Sequence, residues 1–189
     1  MKKIIRTINW FCGEYLDFCF KRLFPKGITQ TLCEKKNLIG VEIGVYDGKN
    51  ALDMLKRLNI KKLYLIDPYT VYEDEYFTPS KNKKDLIKAK IKAKKRLSKY
   101  LNVEFIYKKS EDVKNEIPNN LDFVYIDGSH KYEEVIKDIN FYYPKVKIGG
   151  VFAGHDIGQR GVNKAIFEFF GKIKKIPVFK VEDWIYIKE

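Results

Sequence analysis

The sequence lacks the features of a membrane-spanning or disulfide-bonded protein. No uncharged apolar run reaches the ~18 residues that a transmembrane helix needs. The three cysteines, Cys12, Cys19 and Cys33, form no CxxC or zinc-type spacing and no pairing pattern. The N-terminal stretch has no small-residue cleavage site, and Arg6 and Glu14 interrupt any signal-type apolar run. We therefore expect a cytoplasmic protein.

Arginine is also scarce: 5 arginines stand beside 32 lysines in a chain of net charge +12. Such a charge attracts anions, including nucleic acid. Dedicated phosphate-binding sites favour the bidentate arginine side chain, however, so the charge is better explained by solubility. Between residues 81 and 109, 12 basic residues face only Asp85 and Glu104. That stretch is interpreted as a solvated helix face, with an RNA or phosphosugar contact as the alternative.

What the chain does contain predicts one α/β domain. Its 189 residues suit a single domain, and 15% aromatic residues exclude a disordered chain. Short apolar runs alternate with helical patterns, which is typical of a parallel sheet covered by helices on both faces. The predicted strands are residues 38–43, 62–66, 103–107, 121–126 and 151–154, with a C-terminal antiparallel strand pair at 177–181 and 184–187. The predicted helices are residues 50–58, 82–100, 132–142 and 162–170.

Residues 1–37 are predicted to form an N-terminal amphipathic helical extension, and residues 38–189 the main domain. The segment 1–24 spaces its apolar side chains as a helix does. A basic, aromatic helix of this kind has three interpretations. It lies on a membrane surface as a peripheral contact, it covers the substrate site, or it packs on the core.

The turn after the first strand carries Glu42, Gly44, Asp47 and Gly48. It lacks the full GxGxxG of a dinucleotide-binding turn, and Asp47 would repel a pyrophosphate. An acidic residue such as Glu42 suits a cationic ligand, and the amino and sulfonium groups of S-adenosylmethionine (SAM) are cations. Asp67 ends the second strand, where a carboxylate can accept the hydroxyls of a ribose. The alternatives are an ordinary strand–helix turn and a helix cap beside Pro68.

Five stretches taken together, EIGVYDGKNA, LYLIDPY, KKSED, LDFVYIDGSHKYE and GGVFAGHD, resemble the class I SAM-dependent methyltransferases. The pattern is most similar to that of small metal-dependent O-methyltransferases, of the catechol type and, nearer still, of the macrocin and mycinamicin sugar type. The resemblance covers about residues 38–160. It implies a Rossmann-like SAM-dependent methyltransferase fold and methyl transfer to a hydroxyl of a small-molecule or glycan acceptor.

The resemblance also implies which residues bind SAM. Asp67 matches the ribose carboxylate, where catechol enzymes carry Glu, and Asn50 stands where the family often has Ser. The full set of implied cofactor-binding residues is Glu42, Gly44, Tyr46, Gly48, Asn50, Asp67, Ser110, Glu111 and Asp127.

The richest polar cluster joins Asp127 to His155 and Asp156. Two carboxylates at neighbouring strand ends can share a divalent cation, and oxygen ligands suit Mg²⁺ or Mn²⁺. The sugar methyltransferases carry an acidic residue where His155 stands, so a softer imidazole becomes the third candidate ligand. Iron and zinc are then further candidates.

His130, three residues after Asp127, matches the family's general base, and Asp127 is implied in catalysis with it. An imidazole titrates near neutral pH and can take a proton from an acceptor hydroxyl. The two histidines of the chain both fall in this cluster. A core histidine and a loop anchor are the alternatives for His130.

Three rival functions remain. An RNA methyltransferase is favoured by the charge, but the chain lacks the N/D-P-P-Y/F motif of exocyclic-amine methylation. A Rossmann module that binds NAD is disfavoured by the missing GxGxxG. A non-catalytic SAM-binding protein would keep the cofactor residues without methyl transfer.

Overall fold

The computed structural model describes residues 26–71 and 82–189, built around one sheet. Its strands are β1 (Leu38–Ile43), β2 (Ile60–Ile66), β3 (Val103–Ile106), β4 (Leu121–Ile126), β5 (Val146–Gly154), β6 (Val178–Lys180) and β7 (Asp183–Ile187). They lie in the order β3-β2-β1-β4-β5-β7-β6. The first five pair in parallel, whereas β7 runs antiparallel to both β5 and β6. The predicted sheet and its C-terminal antiparallel pair are confirmed.

Helices cover both faces of this sheet. They are α1 (Gly27–Leu32), α2 (Lys49–Arg57), α3 (Lys83–Leu97), α4 (Ser110–Val113), α5 (Tyr132–Tyr142) and α6 (Arg160–Lys172), with a 3-10 turn at Tyr143–Lys145. One buried cluster holds Ile28, Met54 and Leu97 from α1, α2 and α3. The other holds Ile139 and Ile166 from α5 and α6. The fold is therefore a three-layer α/β sandwich.

The central strand β4 shows why the sequence lacks polar alternation there. All six of its residues are buried. Phe123 and Tyr125 pack toward the cluster of α1 to α3, and Val124 and Ile126 pack toward that of α5 and α6. A strand covered on both faces must be apolar on both faces.

The strand order places the site. β1 pairs with β2 on one side and with β4 on the other, so the connections leave the middle of the sheet in opposite directions. In open α/β sheets, ligands bind in the crevice outside the carboxyl ends of the strands at such a switch point. The ends of β1 and β4 carry Gly44 and Asp127.

Several elements differ from the sequence-based expectation. Helix α4 was not predicted, and β2 begins at Ile60 instead of residue 62. Helix α1 lies inside the predicted helical extension at 1–37, but no separate helix was expected there, because Pro25 to Gly27 reads as a helix break. Its residues Ile28 and Leu32 are fully buried in the core. Strand β5 begins at Val146 instead of residue 151. Gly149, at φ 73°, lies inside the strand and does not end it.

The predicted helix at residues 1–24 lies outside the described residues, and the domain division after residue 37 stays a prediction. Within residues 26–71 and 82–189, no helix combines the length and apolarity needed to cross a membrane.

Candidate functional site

An open cleft lies at the carboxyl ends of β1, β2 and β4. Its wall also includes the N-terminal end of α4 and part of α5. Six of the nine predicted cofactor residues line it: Gly44, Tyr46, Asp67, Ser110, Glu111 and Asp127. The sequence-based expectation and the fold therefore converge on the same opening.

Gly44 lets the ends of β1 and β4 approach each other closely. Its φ of 84° is in the left-handed region. A Cβ atom at this position would lie 2.0 Å from the carbonyl oxygen of Asp127. Any side chain here would push Asp127 away from the cleft, so the turn requires glycine.

Asp67 holds the turn between β1 and α2 through backbone hydrogen bonds. One carboxylate oxygen accepts from the amides of Val45 at 3.0 Å and Tyr46 at 2.8 Å. The other accepts from the amide of Tyr69 at 2.8 Å. An ionised carboxylate offers about four acceptor positions, so capacity remains for a ribose hydroxyl. Asp67 thus shapes the cleft, and its contact with SAM stays a prediction.

Glu42 does not line the cleft, because its side chain is completely buried beneath it. Asn50 donates a hydrogen bond to one of its carboxyl oxygens at 2.9 Å. Burial raises the pKa of Glu42 to about 8, despite the opposing hydrogen bond from Asn50. At neutral pH the group is therefore largely uncharged. Its predicted contact with SAM, and that of Asn50, are not tested by this geometry.

Gly48 also lies away from the cleft, at the first turn of α2. Its φ is 74°, and a Cβ atom there would lie 3.2 Å from Ala93 of α3. The residue before it, Asp47, forms an ion pair with Arg96 of α3 at 3.2 Å. In this structure Gly48 allows close packing of α2 and α3.

The predicted adenine pair meets two residues that sequence reasoning missed. The Ser110 hydroxyl donates to the carboxylate of Asp138 on α5. Lys137 forms an ion pair with Glu111 at 3.4 Å. Lys137 and Asp138 both line the cleft. Burial raises the pKa of Asp138 to about 7, although Ser110 lowers it in part.

The three predicted metal ligands come together beside the cleft. Donor atoms of Asp127, His155 and Asp156 lie within 4.8 Å of one another. Nδ1 of His155 is 3.0 Å from one oxygen of Asp156 and 4.0 Å from one oxygen of Asp127. Two carboxylates and one imidazole fit a divalent cation of the Mn²⁺, Fe²⁺ or Zn²⁺ type. The donor set suits Mg²⁺ less well, because Mg²⁺ prefers oxygen ligands.

Asp156 lies between the two histidines. Burial alone would raise the pKa of Asp156, but hydrogen bonds from His130 and His155 outweigh it and hold the pKa well below its usual range. The same contact raises the pKa of His155, against the effects of burial and of Lys26. Burial raises the pKa of Asp127, and the charges of Lys26 and His155 offset part of that rise.

His130 lies deeper than expected for a base that meets substrate directly. It is 8% exposed, and its Nε2 lies 2.8 Å from the second oxygen of Asp156. It lines a small pocket with Asp127, His155 and Asp156, and of these four residues only Asp127 also lines the larger cleft. Asp127 belongs to both walls and connects the two spaces.

Sequence reasoning also missed Lys26, Tyr125 and Asp183. Lys26 precedes α1, and its ammonium group donates to the hydroxyl of Tyr125 at 2.9 Å. Asp183, at the start of β7, accepts from the same hydroxyl at 2.7 Å. The only sequence signal was the acidic pair Glu182 and Asp183 in the turn between the terminal strands. Nothing in the sequence indicated that this turn returns to the site.

With this geometry established, comparison with known proteins identifies the family. Residues 41–157 match the family described as a methyltransferase domain. The chain belongs to this family of methyltransferase domains. The prediction of a class I SAM-dependent methyltransferase is thus confirmed at the level of the family, and the NAD-binding alternative is not supported.

One curated protein is similar in sequence to part of this chain. An uncharacterised protein of Acanthamoeba polyphaga mimivirus is 34% identical over 128 residues, which are 65% of this chain and 53% of that protein. The chain thus spans about half the length of this curated relative.

Two solved structures share the fold. The O-methyltransferase NovP matches with TM-score 0.63 and 17% identity, over 89% of this chain and 79% of NovP. The Streptococcus mutans protein SMU.1697c, solved in complex with S-adenosylhomocysteine (SAH), matches with TM-score 0.59 and 16% identity, over 84% and 90% of the two chains.

Proposed function

We propose that this protein transfers the methyl group of SAM to a hydroxyl of a small-molecule or sugar acceptor, with a divalent cation assisting. The observation that carries the proposal is the convergence of Asp127, His155 and Asp156 within 4.8 Å, next to the cleft. A cation there would lower the pKa of an acceptor hydroxyl. Two carboxylates and one imidazole fit Mn²⁺, Fe²⁺ or Zn²⁺.

We propose one orientation for SAM in the cleft. Ser110 and Glu111 would face the adenine and Asp67 the ribose, with the methionine part near Gly44 and Tyr46. The sulfonium would then lie toward Asp127, which borders both the cleft and the small pocket. In the reaction, the acceptor oxygen attacks the methyl carbon, the bond from carbon to sulfur breaks, and SAH leaves.

The acceptor proton requires a base, for which His130 is the proposed residue. Its Nε2 lies 2.8 Å from Asp156, and a hydrogen bond donated there leaves Nδ1 as the nitrogen that can take the acceptor proton. His155 is the competing candidate, since its side chain is 22% exposed against 8% for His130. Variants at the two positions separate these roles.

The test is methyl transfer from labelled SAM to a panel of sugar and phenolic hydroxyl acceptors. Exhaustive chelation should abolish turnover, and added Mn²⁺ or Mg²⁺ should restore it. Turnover that survives chelation would remove the cation from the proposal and leave the carboxylates to orient SAM or acceptor. Binding of SAM without transfer to any acceptor would favour a non-catalytic SAM-binding protein.

An RNA acceptor is the second candidate, and the surface of α3 favours it. Six exposed lysines lie on this helix: Lys83, Lys84, Lys88, Lys92, Lys94 and Lys95. Such a face would bind phosphates with a steep dependence on salt. Gel-shift titrations with RNA at two salt concentrations test this candidate. Tight, salt-sensitive binding together with methylated RNA would replace the small-molecule acceptor.

A further inference from the structure

Two hydrogen bonds join Lys26, Tyr125 and Asp183 beside the candidate metal site. The Lys26 ammonium group donates to the Tyr125 hydroxyl at 2.9 Å. The same hydroxyl gives its one proton to Asp183, 2.7 Å away. Tyr125 is fully buried and Asp183 is 5% exposed, so water does not compete strongly for these groups. The lysine fixes the direction of the bond, because an ammonium group can only donate.

Asp183 faces the outer nitrogen of His155. Its carboxylate oxygen lies 3.8 Å from Nε2 of that ring. Glu182 lies at 3.4 Å from the same nitrogen, but its side chain is 66% exposed. The inner nitrogen, Nδ1, faces Asp156 and Asp127 instead. The two nitrogens of His155 therefore meet two separate sets of carboxylates.

This arrangement bears on how the ring could bind a cation. A neutral imidazole carries one proton, and only the nitrogen without it can be a ligand. Ligating histidines commonly donate their other N–H to a carboxylate, which fixes the tautomer and the ring orientation. In the structure Nδ1 donates to Asp156, so this nitrogen must give up its proton before it can bind a cation. The proton on Nε2 would then be kept by the two carboxylates that face it, Glu182 at 3.4 Å and Asp183 at 3.8 Å.

We propose that Lys26, Tyr125 and Asp183 are positioning residues that orient His155 for cation binding through Nδ1. Lys26 balances the charge of the buried Asp183 carboxylate through Tyr125, and Asp183 holds the outer face of the His155 ring. None of the three lines the cleft, so they act through His155 and not on SAM or acceptor. The inference rests on the cation site of the proposed function.

The test measures cation binding, without SAM or acceptor. Calorimetry with Mn²⁺ should show affinity about 10–100-fold weaker in Tyr125→Phe, the usual effect of disturbing an outer contact of a metal ligand. Lys26→Met breaks the same series of contacts but also removes a positive charge near Asp127, so its loss of affinity should be smaller. Lys26→Arg should stay within a few-fold of the wild type, because it keeps a cationic donor. Lys62→Met is the matched control. Lys62 also packs on a tyrosine ring, 5.4 Å from the centroid of Tyr64, but on β2.

Two outcomes would overturn the proposal, and they are distinguishable. If Tyr125→Phe folds and binds Mn²⁺ as the wild type does, the positioning role is wrong while the cation site stands. If the wild type binds neither Mn²⁺ nor Zn²⁺, the cation part of the proposed function fails and this inference with it. Should Tyr125→Phe not fold, the protonation of the His155 ring in the zinc-bound wild type decides.

A spectroscopic measurement shows directly which nitrogen of His155 binds the ion. With diamagnetic Zn²⁺ bound to wild-type protein, the ¹⁵N shifts of the His155 ring should show a proton on Nε2 and the ion on Nδ1. The opposite tautomer would overturn the proposal.

Discussion

At the scale of single residues, the two histidines have different positions and should have different effects. General-base catalysis typically contributes ~10²–10⁴-fold, so His130→Ala should lose about that much turnover while SAM affinity stays within a few-fold. The rate of the wild type should rise with pH as the imidazole loses its proton, and this rise should vanish in the variant. His155→Ala should instead weaken Mn²⁺ affinity. A pH–rate profile measures the effect of His130→Ala, and calorimetry measures that of His155→Ala. A His130→Ala enzyme with unchanged turnover and an unchanged pH profile would exclude His130 as the base.

Asp67 has two roles in this structure, and its substitution should reveal both. Asp67→Ala removes the acceptor of three backbone amides and a candidate ribose contact. We expect SAM binding to weaken by roughly 1–3 kcal/mol and the free energy of unfolding to fall by a similar amount. Calorimetry with SAM and urea denaturation measure the two effects. Full SAM affinity in a destabilised variant would leave Asp67 with a structural role only.

Glu42 should make stability depend on pH. Its pKa is about 8 when folded against 4.5 as the ordinary value. Below pH 4.5 both states are protonated. Between the two values only the unfolded chain ionises, so the stabilising effect of neutral Glu42 is lost as pH rises. Glu42→Gln stays neutral, and its free energy of unfolding relative to wild type should rise by roughly 3–5 kcal/mol from pH 4.5 to 8.

Urea denaturation at several pH values, with chelator and without SAM, measures the Glu42 effect. A stability difference that does not change with pH would show that Glu42 is ionised in the folded protein.

At the scale of elements, the closeness of β1 and β4 decides the shape of the cleft. Gly44→Ala places a Cβ atom 2.0 Å from the Asp127 carbonyl, at a positive φ. We expect a loss of roughly 3 kcal/mol or more in the free energy of unfolding, together with weaker SAM binding.

Gly171→Ala is the matched control for Gly44→Ala. This glycine lies in α6, where a Cβ atom would meet nothing within 4 Å. Alanine there should leave stability equal or raise it by about 0.5–1 kcal/mol. If the two alanine variants unfold at the same urea concentration, close packing at Gly44 does not constrain the turn.

The elements themselves were largely predictable. The run at 121–126 is apolar at most positions because β4 is buried on both faces, and burial leaves a clear sequence signal. Helix α1 left no such signal in the sequence. It has only six residues, and they are buried by β5 and β7, which lie far away along the chain. Gly149 and Gly150 in β5 look like a turn in the sequence. In the structure the strand starts before them, because Val146 already pairs with Leu121 of β4.

At the scale of the whole molecule, the sequence predicted which side chains meet better than it predicted their environment. Asp127, His155 and Asp156 follow the ends of neighbouring strands, so topology brings them together. The burial of Glu42 and the contacts of Lys26 and Asp183 depend on distant parts of the chain, which strand patterns do not encode. Lys26 and Tyr125 are 99 positions apart.

The central claim is that SAM and a divalent cation occupy adjacent sites at the end of this sheet. Anomalous diffraction from crystals soaked with SAH and Mn²⁺ tests it most directly. The account predicts SAH in the cleft beside Asp67 and one manganese peak among Asp127, His155 and Asp156. Bound SAH with no manganese peak at these three residues would contradict it.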